Sequence, residues 1–111
     1  YNVNLAADIA AQASLEDVPY LLELVDKMVI QRNRMMAAFA DLSFLSPYPS
    51  QSNFILNRVI GMKADVLRDQ LAQAGIIVRY YNKPRLHDHI RISAGTPQQV
   101  DKLLDVLHTL A

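Results

Sequence analysis

Cysteine is absent from the 111 residues, which excludes structural disulfides, thiolate metal sites and a cysteine nucleophile, and fits a reducing compartment such as the cytoplasm. A charge excess is absent too. Eleven Lys and Arg balance eleven Asp and Glu, so no global field draws the chain to nucleic acid or to an anionic membrane. No apolar run approaches the roughly 20 residues that cross a bilayer, because the best candidate, Leu21 to Ile30, is cut by Glu23, Asp26 and Lys27. With only three glycines, Gly61, Gly75 and Gly95, there is no glycine-rich loop to cradle a phosphate. Internal repeats and low-complexity segments are missing. So are an initiator Met and a basic-then-apolar leader before Tyr1, which gives the chain the look of an excised or processed piece.

About half of the composition is apolar (51%), enough for one domain with a real core. Asn2 or Asn4 caps a short first helix over L-A-A-D-I-A-A-Q-A, which Ser14 is expected to interrupt. Ser14 to Asp17 then reads as a new cap with Pro19 in the first helical turn. In the long helix that follows, Leu15, Val18, Leu22, Val25, Val29, Met36 and Phe39 form one stripe, widened by Leu21, Met28, Met35 and Leu42, so one broad face is expected to be buried. Arg32 falls on that stripe and is read as a snorkelling cation, its stem on apolar surface and its head in water.

Ser43 to Ser52 allows at most a short strand and an exposed turn, whereas Asn53 to Val59 reads as a buried strand ended by Gly61. Lys63 to Ala74 carries Val66, Leu67 and Leu71 at helical spacing, with Gly75 as a left-handed C-terminal cap. Ile76 to Tyr81 and His89 to Ala94 are expected to pair as strands, and Thr96, Pro97 and Gln99 open a closing amphipathic helix. The order ααββαββα predicts an α+β domain, a small, mainly antiparallel sheet of three to four strands covered on one face by helices.

The alternation within the strand pair carries the functional signal. Counting by twos puts Arg79 with Ile77 and Tyr81, and Arg91 with His89 and Ser93, so both guanidiniums can share the uncovered face. Two forks on one face suit a dianionic or two-headed ligand. The pattern equally allows both arginines to pair with surface carboxylates such as Asp88 or Asp65. His87, Asp88 and His89 are too loosely constrained for a metal site, with His108 far along the chain on the closing helix. Serines and histidines show no triad pattern.

Y-N-V-N at 1–4, Y-P-S-Q-S-N-F-I-L at 48–56, G-I-I-V-R at 75–79 and I-R-I-S-A-G-T-P at 90–97 together resemble the carboxyl-terminal portion of the histidinol-phosphate aminotransferase family, fold-type I enzymes dependent on pyridoxal phosphate. The likeness covers essentially the whole chain, with Ile90 standing where leucine is more usual. It implies that residues 1–111 are a C-terminal small domain, with 1–14 as a crossing segment and short helix between domains. It implies further that Arg91 binds the substrate α-carboxylate, that Arg79 helps hold the substrate phosphate, and that Asn4 lies beside the active site.

The parent so implied is a cytoplasmic homodimer of histidine biosynthesis, acting on histidinol phosphate with 2-oxoglutarate or glutamate. Its large domain, before Tyr1, would supply the Schiff-base lysine, the acid facing the pyridine nitrogen and the cofactor phosphate cup. Lys27, Lys63, Lys83 and Lys102 do not match the family's Schiff-base motif, so this chain alone is expected to bind no cofactor and to be inactive. A related pyridoxal-phosphate decarboxylase, an aromatic aminotransferase, or a free-standing anion-binding or interaction module are the alternatives left open.

Overall fold

The computed structural model describes residues 2–111; Tyr1, the first residue of the Y-N-V-N motif, lies outside the described residues. Helix α1 (Leu5–Glu16) is capped by Asn4, whose side-chain oxygen accepts from the Ala6 N–H at 2.8 Å. Ser14 does not interrupt it. The Ser14 hydroxyl donates to the Ala10 carbonyl one turn back (2.8 Å), so its polarity is satisfied inside the helix. The break comes at Asp17, whose backbone leaves helical geometry (φ −118°, ψ 51°), and α2 (Val18–Ala40) starts there with Pro19 in its first turn. The missing proline N–H has no helical partner to lose at that position.

Strands β1 (Leu45–Pro47) and β2 (Phe54–Val59) follow, then α3 (Ala64–Gln73). Gly75 takes φ +77°, while its N–H donates to Ala72 and that of Ile76 donates to Leu71, both at 2.9 Å. This paired closure satisfies the last carbonyls of α3 and needs a left-handed residue, which glycine supplies without steric cost. It also shortens the next strand: β3 is only Arg79–Tyr80, not the longer Ile76 to Tyr81 run. Ile76 spends its N–H on the helix end and is unavailable to a ladder. Strand β4 (His89–Ser93) leads into α4 (Pro97–Thr109). Thr96 and Gln99 there form a reciprocal capping box, Gln99 N–H to Thr96 Oγ1 at 3.3 Å and Thr96 N–H to Gln99 Oε1 at 2.9 Å.

The four strands form one antiparallel sheet in the order β1-β2-β4-β3. Ile55 of β2 and Ile90 of β4 face inward against Met35 and Phe39 of α2, Leu67 and Leu71 of α3, and Leu107 of α4, all fully enclosed. Burying each such side chain contributes roughly 1.5–3 kcal/mol. The α+β architecture predicted from the sequence is therefore present, with α2, α3 and α4 on one face.

Burial of α2 along its whole length is not. Only its C-terminal half enters the core, and Val18, Leu22, Val25 and Met28 stay exposed at 41%, 58%, 45% and 37%. Helix α1 has no buried residue. The radius of gyration is accordingly 16.6 Å, against about 13 Å for a compact chain of this length. Among the described residues, no helix is long and apolar enough to cross a membrane.

Candidate anion-binding site

The uncovered face of the sheet is set by β2 and β4, whose residues alternate between core and solvent. Ile55, Asn57 and Val59 point inward, which leaves Phe54, Leu56 and Arg58 on the open side. The register then pairs Leu56 with Arg91, and Arg91 in turn with Arg79. Directly opposed residues of an antiparallel pair project to the same face. Both guanidiniums thus share the open face, as the alternation predicted.

Arg91 is half-buried with its guanidinium carbon 4.8 Å from the centre of the Phe54 ring, and Arg79 is exposed with its own 5.2 Å from the Tyr81 ring. These aromatic shelves orient the cations without neutralising them. The surface-pairing alternative does not hold. Among the described residues neither arginine has a carboxylate within ion-pair distance. Asp88 is engaged by Arg58 Nε (2.9 Å), and the Asp65 carboxylate accepts from the Val66 N–H (2.9 Å). Like charges directly opposed across strands repel, and the buried Nε of Arg91 has no hydrogen-bond partner. The repulsion marks a place where an anion lowers the energy of the site, whereas the Nε is an enclosed donor closed to an incoming ligand.

Beside the segment Ile76 to Val78, which is not paired with β4, a cleft of about 700 Å³ opens. Arg79, Arg91 and Lys102 line it together with Ile77, Ser93 and Gln99, and its lining contains no acidic residue. Sequence reasoning did not bring Lys102 there. Its Nζ lies beside the glycine turn, 3.3 Å from where a Cβ at Gly75 would stand.

Beside Arg91 on the same face, His89 is 93% enclosed (7% exposed) under the Tyr48 ring, with ring centres 5.6 Å apart and its Nε2 3.1 Å from the Tyr48 hydroxyl. Asp88 Oδ1 lies 2.6 Å from His89 Nδ1, without the alignment of a hydrogen bond. Partial burial pushes the Asp88 carboxyl upward, yet the Arg58 N–H, its own backbone N–H and His89 together hold it below the usual 3.8. The alternation placed His89 on the face of Arg91, but its partner Tyr48 is separated by a long stretch of sequence. His87 is exposed in the turn, and among the described residues no group of His, Asp and Glu has a metal-binding arrangement.

Two other sequence expectations fall elsewhere. The structure does not bring Asn4 to the arginines: its side chain caps α1, whose packing partner is α2. Arg32 does not snorkel. It is 9% exposed, and its Nη1 donates to the Ser52 carbonyl at 3.3 Å.

The family model for aminotransferase class I and II matches residues 1–107. The histidinol-phosphate aminotransferase of Roseiflexus castenholzii is 48% identical over the whole chain, which spans 31% of that relative. Histidinol-phosphate aminotransferase 1 of Arabidopsis thaliana is 43% identical over 96% of the chain, which spans 26% of it. Among solved structures, the histidinol-phosphate aminotransferase of Sinorhizobium meliloti in complex with pyridoxal-5'-phosphate superposes with a TM-score of 0.77 at 33% identity, over 92% of this chain and 29% of that one. The corresponding enzyme of Clostridium acetobutylicum shares the fold (TM-score 0.88, 24% identity, 99% and 34% covered). With a family model matched over nearly its full length and an open-face arginine pair set in that fold, the chain belongs to aminotransferase class I and II.

Proposed function

We propose that this chain is the C-terminal small domain of a histidinol-phosphate-type aminotransferase and supplies its substrate-anion clamp. The observation that carries this reading is the directly opposed pair Arg79 and Arg91, without carboxylate partners among the described residues. Arg91, held on an interior strand, takes the α-carboxylate as a bidentate fork, and Arg79, on the edge strand, takes the phosphate. Fixing a substrate at two anionic ends turns binding energy into orientation of the bond to be broken. Asn4 belongs, in this reading, to the crossing between domains.

The residues lining the cleft do not suit pyridoxal phosphate by themselves. Lys102 offers an amine there, but no acid is present to face a pyridine nitrogen. In this reading the cofactor belongs to a large domain of the same protein, the chain alone is inactive, and the whole is a cytoplasmic homodimer. The exposed apolar residues of α1 and the first half of α2 support a large domain as partner, because clustered apolar surface in water is a site of association.

Kinetics of the full-length protein carrying Arg91→Ala test the assignment. Loss of a fork that holds a desolvated carboxylate costs ~2–4 kcal/mol in transition-state binding, roughly a 30- to 900-fold fall in kcat/KM for histidinol phosphate and glutamate. Unchanged kcat/KM would remove the assigned role. Preference for a phosphorylated amine over aromatic amino acids separates this reading from an aromatic aminotransferase, and absence of carbon dioxide release separates it from a decarboxylase.

A further inference from the structure

Helix α2 carries one apolar stripe whose two halves meet different surroundings. Met35 and Phe39 lie in the core, whereas Val18, Leu22, Val25 and Met28, at the same spacing in earlier turns, face solvent. Arg32 stands where the stripe passes from one to the other. Its guanidinium is withdrawn from water yet donates only to neutral acceptors, the Ser52 carbonyl (3.3 Å) and Asn33 Oδ1 (3.3 and 3.1 Å). Among the described residues no carboxylate lies within ion-pair distance of it. A buried cation without a counter-charge is costly, and three donated N–H groups leave two of the five that a guanidinium carries.

Next to Arg32 is a notch of about 120 Å³ walled by Val25, Met28 and Val29 on one side and by the turn from Gln51 to Asn53 on the other, again with no acidic residue. That volume is well below the roughly 300–1,000 Å³ of small-molecule sites. It suits one side-chain head.

We propose that the notch receives an aspartate or glutamate from the protein surface that covers the exposed half of α2, with the carboxylate pairing to Arg32. The inference rests on reading the chain as one part of a longer aminotransferase, and the occupant is a segment of that same protein outside these 111 residues, bearing an acid among aliphatic side chains. Apolar residues on either side exclude water from the pair, and the acid supplies the missing charge.

Two measurements test it. Arg32→Met, which keeps the stem and removes the charge, is compared in the full-length protein and in the 111-residue chain. The expected result is a fall in Tm of at least about 4 °C in the full-length protein with no fall in the short chain, because only the former loses a pair. Equal falls in both, or a fall in neither, would overturn the proposal. Photoreactive methionine at position 28 of the full-length protein then reports the neighbour directly: cross-links to a peptide outside the chain that contains Asp or Glu support it. Cross-links confined to these 111 residues, or to α2 of a second copy as told by isotope mixing, refute it. The kinetics of Arg91→Ala are a separate readout, so the notch and the substrate clamp fail independently.

Discussion

Arg79 and Arg91 face each other across two strands with no acid between them, an arrangement that costs stability in a sheet unless something anionic joins it. Their shared face was legible from the period-2 pattern of two short runs, because alternation needs no knowledge of the rest of the fold. Arg32 was not legible. Its burial depends on a carbonyl contributed by the turn at Ser52, far along the chain, and helical spacing alone gives only the stripe it sits on. Asn57 is similar: alternation places it inward between Ile55 and Val59, but only the packed structure shows it fully enclosed with an unpaired Oδ1.

The Asp88 network yields a prediction at this scale. Its carboxyl is held below the usual 3.8, chiefly by the Arg58 N–H acting against partial burial. A depressed folded value contributes stability above the usual one, and that contribution is lost as pH falls through the folded value. Acid unfolding of Arg58→Gln, followed by circular dichroism, is therefore expected to begin at higher pH than in the unaltered chain. Coincident acid limbs would show that the pair at 2.9 Å contributes nothing.

At the scale of elements, local signals and tertiary packing divide cleanly. The capping box of α4 and the glycine closure of α3 are written in consecutive residues, and both were readable as such. Strand β3 was overestimated because Ile76 has strand propensity but gives its N–H to the end of α3. Ser14 was misread as a breaker because its hydroxyl finds a partner within α1. Gly75→Ala probes the closure on which the cleft depends. A side chain at φ +77° costs about 1–2 kcal/mol, so the urea midpoint is expected to fall without a change in the slope of the transition. An unchanged midpoint would mean that the turn adjusts freely. The nearby Lys102 Nζ, being the end of a flexible chain, moves aside and adds little.

The molecule as a whole is long for its content, 47 × 30 × 26 Å, because α1 and the first turns of α2 extend beyond the core. Patterning predicted an apolar stripe there but not where its cover comes from; a period of 3.6 reports that a face is sticky, and nothing about whose face meets it. The exposed set Leu5, Ile9, Leu15, Leu22 and Ile30 is expected to bind the dye ANS in the 111-residue chain while near-ultraviolet circular dichroism stays native-like. Leu22→Lys is expected to weaken the dye signal, and dye binding that appears only after tertiary dichroism is lost would count against a preformed apolar face.

The strand order β1-β2-β4-β3 also has a consequence for how such a domain diversifies. Arg91 is on a strand with hydrogen-bonded neighbours on both sides, so its amide hydrogen is expected to exchange only through wide opening of the sheet. Arg79 is on a two-residue border strand, where local opening suffices. On the clamp reading, one end of a ligand would thus meet a firmly held post and the other an adjustable one. In the proposed clamp, substitutions at β3 would retune what is held at the far end while the post on β4 stays in place, which makes the short border strand the position where new ligand preferences would arise at least risk to the fold.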